Sequence, residues 1–171
     1  MSESHLEFLL VDAQATEALG AALARAYARD AKGSSVVYLH GDLGAGKTTC
    51  VRSLLRSLGV QGLIRSPTYT LVEAYRPGSA TCVHVDLYRL QGPVEVEELG
   101  LRDYFDADSL LLVEWPEKGG PALPPADLDL QLEYRGDSRL ARLEARTARG
   151  RQWLQLLLHD TSLTSYLSNL T

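Results

Sequence analysis

The sequence predicts an α/β fold, with a mixed parallel and antiparallel sheet flanked by helices. Three observations predict it. Val36-Val37-Tyr38-Leu39 is a short apolar run of the buried-strand kind. It leads through Gly41-Asp42-Leu43-Gly44-Ala45-Gly46-Lys47-Thr48 into Val51, Leu54, Leu55 and Leu58, which recur at helical spacing. A strand feeding a helix through a tight glycine-rich turn belongs to a parallel core. Next, the β-patterned runs Thr70 to Tyr75 and Thr81 to Leu87 flank Arg76-Pro77-Gly78-Ser79-Ala80, and Pro-Gly in so short a connection reads as an antiparallel hairpin. Last, Leu110-Leu111-Leu112-Val113 is the strongest buried-strand signal in the chain.

The glycine-rich turn fits G-x-x-x-x-G-K-[ST], the phosphate-binding P-loop. Backbone N–H groups must turn inward onto polyphosphate oxygens there, and Gly41, Gly44 and Gly46 supply the dihedrals and clearance. Residues 41 to 49, with Asp42, Leu43, Ala45 and Thr49 between the glycines and the helix, are the expected nucleotide-binding segment. Lys47 places a charge on the terminal phosphates, and Thr48 offers its hydroxyl to Mg²⁺. The helix beginning here turns its positive dipole end to the same anion, and Gly59 suits its C-terminus. ATP and Mg²⁺ are therefore the expected ligands, and the fold is that of a P-loop NTPase.

The 171 residues suffice for one cored domain. We expect that domain over residues 1–155, with 156–171 a tail that is partly helical or disordered. The net charge of −5 argues against an overall nucleic-acid glove. Cys50 and Cys82 lack metal or redox spacing and read as buried thiols. Met1-Ser2-Glu3-Ser4-His5 shows no positive segment followed by an apolar run, and no apolar stretch reaches the roughly 18 residues of a membrane span. Cytoplasmic residence, without membrane association, is the expectation.

In chain order, Leu6 to Val11 predicts a strand, and Asp12 caps a helix to about Arg29. Ala15, Leu19, Ala22, Leu23, Ala26 and Tyr27 form its apolar stripe. Thr16, in its first turn, is either an exposed helix threonine or a nucleotide contact. Arg65-Ser66-Pro67-Thr68-Tyr69 packs hydroxyls beside a rigid turn, and Thr68 is the candidate for a switch that senses the γ-phosphate. Asp86 and Glu114 both end apolar strands, where α/β sheets deliver ligand-binding side chains. Both are expected at Mg²⁺ and its waters, one directly and the other through water. Either could orient the attacking water. His84 shares the Asp86 face and reads as a packed or hydrogen-bonded residue. Trp115 either stacks on a ligand or partner or simply packs.

Pro93 to Leu99 predicts an acidic solvated helix, which Leu101 to Asp106 extends, and Lys118 to Pro125 a loop. Asp127 to Tyr134 and Arg139 to Thr147 alternate as strands around a Gly136-Asp137 turn. Gln152 to Leu158 predicts a short helix, and the last dozen residues a frayed end. Arg135, Arg139, Arg142, Arg146, Arg149 and Arg151 form either a solvated face or a docking patch for a phosphate backbone or acidic partner.

Several longer segments carry a resemblance. Asp12-Ala13-Gln14-Ala15-Thr16, the P-loop through Thr49, Ser66-Pro67-Thr68-Tyr69-Thr70-Leu71-Val72-Glu73 and His84-Val85-Asp86-Leu87-Tyr88-Arg89-Leu90 are followed by residues 98–105 and by Val113-Glu114-Trp115-Pro116-Glu117-Lys118-Gly119. Together they resemble the TsaE family of small bacterial ATPases of tRNA threonylcarbamoyladenosine synthesis. The resemblance implies Mg²⁺-dependent ATP hydrolysis in the company of two proteins, TsaB and TsaD. TsaD is the transferase, so contact with tRNA would be indirect. It also implies that Lys47 binds phosphate, Thr48 and Glu114 bind Mg²⁺, Asp86 supports metal or water, Thr68 belongs to a switch and Thr16 contacts the nucleotide. A small-molecule kinase and a nucleotide-binding scaffold without turnover are the competing readings. The intact Lys47, Thr48, Asp86 and Glu114 weigh against the scaffold.

Overall fold

A computed structural model describes residues 4–30, 32–104 and 108–168. Seven strands form one sheet: β1 (His5–Leu10), β2 (Ser35–Gly41), β3 (Val72–Tyr75), β4 (Thr81–Asp86), β5 (Ser109–Glu114), β6 (Leu128–Arg135) and β7 (Ser138–Ala145). Their spatial order is β1-β7-β6-β2-β5-β4-β3. The central β6, β2, β5 and β4 run parallel, while β7 and β1 on one side and β3 on the other pair antiparallel. The mixed α/β sheet is thus the one the sequence predicts, and the P-loop strand β2 lies at its middle.

Period-two alternation divides the strands between two faces. Val37, Leu39, Leu110, Leu112, Leu128 and Leu130 pack under α1 (Ala13–Arg29), α2 (Lys47–Ser57) and α4 (Ala148–Leu158). Val36, Val83, Val85, Leu111 and Val113 pack on the opposite face, covered by Val96 of α3 (Pro93–Glu98) and by Leu87, Leu90 and Leu101. Cys82, His84 and Asp86 of β4 therefore share the α2 face with Leu110, Leu112 and Glu114 of β5. The register sets Asp86 directly beside Glu114.

The first two helices begin and end where their sequences say. Asp12 caps α1 by accepting from the Ala15 N–H at 2.8 Å. Past α2, the Gly59 N–H donates to Arg56 and the Val60 N–H to Leu55, with Gly59 at φ 101°, the two-bond stop that favours glycine. α1 and α2 meet at Gly20, where a Cβ would stand 2.3 Å from the Cys50 carbonyl oxygen. Cys50 and Cys82 are buried, and burial pushes both thiols up to about 12.

Three expectations need correction. The strand predicted from Thr70 begins at Val72, because the Leu71 N–H closes back on the Pro67 carbonyl at 2.7 Å and Leu71 takes φ 67°. The last helix starts a turn early, at Ala148, because Thr147 caps it by accepting from the Gly150 N–H. Through Ser168 the last dozen residues are docked rather than frayed. Leu163 is fully buried, Leu167 bridges Phe8 of the edge strand β1, and the Ser168 N–H donates to Glu7. Of the two readings of the arginine run, the solvated face is the one observed, paired with acids. Arg142 joins Glu7 and Glu133, Arg146 joins Asp129 and Glu144, and Arg149 joins Asp30. Leu101–Tyr104 forms a 3-10 turn, and the predicted extension to Asp106 runs into residues outside those described. Among the described residues, no helix is long and apolar enough to cross a membrane.

Candidate active site

The C-terminal ends of β2, β4 and β5 converge beneath the first turn of α2. Gly46, its N-cap, stands at φ 108° and brings no side chain to the helix end, so the first-turn N–H groups face outward for an anion. Gly44, at φ 79°, passes so close to the Tyr134 hydroxyl that a Cβ would sit 2.9 Å from it. That hydroxyl donates to the Leu43 carbonyl at 3.0 Å and steadies the loop, while the Leu43 side chain projects into solvent. Gly41 closes β2, Asp42 accepts from the Ala45 N–H, and Ala45 is fully buried beneath the loop.

A cleft of about 150 Å³ opens above these strand ends, lined by Lys47, Thr48, Thr49, Thr68, Asp86, Tyr88, Glu114 and Trp115 with loop residues. Lys47 is 4% exposed, and its Nζ donates to the Gly41 and Asp42 carbonyls at 2.5 and 3.0 Å. It also lies 4.3 Å from the centre of the Trp115 ring. Burial pulls its ammonium below the ordinary lysine range, against the opposing pull of Glu114 and Asp86. The Thr48 hydroxyl donates to Glu114 Oε1 at 2.8 Å. Asp86 accepts from the Thr68 hydroxyl at 3.1 Å and from the Tyr88 N–H at 2.9 Å, and Thr68 in turn meets the Ser66 hydroxyl at 2.9 Å. Trp115 is thrown over the loop by an uncommon left-handed backbone, φ 58°, immediately after Glu114. Tyr88 braces its ring at 5.0 Å.

Thr16 stands apart from this group. It is buried, its hydroxyl turns to the Asp12 carbonyl, and it borders a second cleft of about 170 Å³ with Asp12, Gly44, Gly46, Thr49, Asp137 and Arg139. The two clefts share Gly44, Gly46 and Thr49. Sequence reasoning missed Tyr88, Asp137 and Arg139 as lining residues. For Tyr88 the signal was its place two residues after a strand-ending acid. Asp137 and Arg139 arrive only because β6 pairs with β2 and carries its turn to the P-loop.

The donors suit a divalent cation of the hard kind: one threonine hydroxyl and two carboxylates, all oxygen. Among the described residues, no group of three or more His, Cys, Asp or Glu side chains gathers to cage a metal. An ion here would complete its shell with phosphate and water, as Mg²⁺ sites do.

A central parallel strand, a P-loop, its helix and two neighbouring acid-ending strands define a P-loop NTPase fold. A sequence profile of the family "Threonylcarbamoyl adenosine biosynthesis protein TsaE" matches residues 10–143, and the chain belongs to that family. The tRNA threonylcarbamoyladenosine biosynthesis protein TsaE of Haemophilus influenzae is 51% identical over 116 residues, 68% of this chain and 73% of its own. The protein of the same name from Bacillus subtilis is 35% identical over 148 residues, 86% of this chain and 90% of its own. The crystal structure of Bacillus subtilis YdiB superimposes with a TM-score of 0.75 at 30% identity, covering 91% of this chain and 96% of that one.

Proposed function

We propose that this protein is a Mg²⁺-dependent ATPase. It would bind and hydrolyse ATP in support of the proteins that make N6-threonylcarbamoyladenosine in tRNA, without being the transferase. The observation that carries the ATPase reading is the contact of the P-loop Thr48 hydroxyl with the strand-ending Glu114, beside Asp86. The names of the relatives carry the pathway.

In this reading the first turn of α2 and the loop amides hold the phosphates. Lys47 leaves the Gly41 and Asp42 carbonyls to reach the terminal phosphates. Thr48 and Glu114 would hold Mg²⁺, which would supply charge neutralisation at the phosphates when bound. Asp86, oriented by Thr68 and the Tyr88 N–H, holds water beside them. Thr68 then links the occupancy of that carboxylate to its own loop, whose Tyr69 is 80% exposed under the Arg89 guanidinium. The nucleoside lies toward Thr16 in the second cleft. TsaB and TsaD would be the partner proteins, and tRNA would be met through them. The neutralised arginine face agrees with indirect RNA contact. Those same arginines lie on β7 and α4 in ion pairs rather than in a lid over the phosphates, which does not favour a kinase.

Phosphate release from ATP tests the proposal. The purified chain should turn over slowly, and adding both partners should raise the rate about ten-fold or more, since a group supplied in trans is worth up to about 10³–10⁵ in related sites. Full-speed hydrolysis indifferent to partners would contradict the partner-dependent reading. No phosphate release with both partners and tRNA present would contradict the ATPase reading itself.

A further inference from the structure

We propose that His84 is a positioning residue for the Glu114 carboxylate, setting its rotation for the divalent ion. This rests on the ATPase reading above. The register pairs His84 with Leu112 and Asp86 with Glu114, so His84 and Glu114 are diagonal neighbours on the α2 face. His84 is fully buried, and its Nε2 lies 2.7 Å from Glu114 Oε1. That same oxygen accepts from Thr48 at 2.8 Å. Two donors on one oxygen fix the plane of the carboxylate, where one would leave it free to turn.

The other ring nitrogen supports this reading. His84 Nδ1 is buried and, among the described residues, has no hydrogen-bond partner. Its neighbours on this face, Cys82 and Leu112, are buried and bring no side-chain nitrogen or oxygen to the layer. An imidazole with one idle buried nitrogen is a poor filler there, because burying an unpaired polar atom costs stability. Among the described residues, the Nε2 contact with Glu114 is the polar contact that accounts for the histidine. A carboxylate oxygen accepts, so the Nε2–H of His84 is the donor in this contact. Of the two donors, the hydroxyl of Thr48 rotates about a single bond at the cleft edge. The imidazole is locked within the sheet, and it keeps Glu114 in place when Thr48 engages the ion.

Calorimetric titration of the full chain with ATP, in Mg²⁺ and in EDTA, tests this without measuring turnover. His84→Leu should keep its metal-free affinity within about three-fold but lose about ten-fold or more of the gain that Mg²⁺ confers, the range typical of residues behind a metal ligand. His84→Gln, whose amide reaches the Nε2 position, should recover that gain to within about three-fold. His84→Asn, whose amide reaches only the Nδ1 position, should not. The Gln and Asn pair decides the matter even where the leucine variant fails to fold. Equal Mg²⁺ gains in wild type and His84→Leu, or in His84→Gln and His84→Asn, would overturn the assignment alone. A wild-type chain whose ATP affinity ignores Mg²⁺ would overturn the reading of the site and this inference with it.

Discussion

Lys47→Met is expected to weaken ATP binding by about 10²-fold or more, since the ammonium's charge-assisted bonds to phosphate are worth roughly 1.5–3 kcal/mol each. The methionine keeps most of the length of the lysine side chain, so the loss reports the charge. That ammonium donates to the Gly41 and Asp42 carbonyls and faces the Trp115 ring, with the Glu114 and Asp86 carboxylates near enough to pull on it. It is held among them at a cost, because burial disfavours the ammonium. A phosphate offers a stronger partner than two neutral carbonyls and a ring. Isothermal titration with ATP checks the prediction. Binding by Lys47→Met within about three-fold of wild type would mean that the lysine stays on its carbonyls and takes no part in holding phosphate.

Glu114→Gln should separate binding from turnover. The amide oxygen still accepts from Thr48 and His84, so the cleft keeps its shape. The charge facing the ion is gone. ATP binding in EDTA should change by less than about three-fold, while steady-state phosphate release falls by about 10²-fold or more, beyond the 10–100-fold typical of residues behind a metal ligand. The substitution removes the repulsion between two adjacent buried carboxylates, Asp86 and Glu114, and with it the attraction of Glu114 for the buried Lys47 ammonium. The two effects oppose each other, and thermal denaturation of the variant should show little net change in stability. Unchanged turnover would remove Glu114 from the mechanism.

Much of this arrangement was legible in the sequence, for reasons that are local. The strand, the glycine spacing and the helical stripe from Val51 to Leu58 lie within some two dozen residues, and each has its own period. Asp86 and Glu114 were readable as strand ends. Their adjacency was not, because an apolar run reports burial and not which strand lies beside it. For the same reason period two placed His84 on the face of Asp86 but could not show Glu114 as its partner. The arginine alternation on β7 was plain, whereas the pairing of Arg142 with Glu7 spans 135 residues. Leu163 and Leu167, spaced one helical turn apart, were hidden among the polar residues of the tail. Pro67 marked a turn, but nothing at Leu71 announced a left-handed backbone.

The central claim is that the P-loop, Asp86 and Glu114 enclose one magnesium-bound triphosphate. A crystal structure of the protein with Mg²⁺ and a non-hydrolysable ATP analogue tests it most directly. The account predicts Lys47 Nζ on the terminal phosphates, Thr48 and Glu114 at the ion, and Asp86 at the ion or one of its waters. An ion bound with Asp86 and Glu114 both remote from it, or a nucleotide seated away from α2, would contradict it.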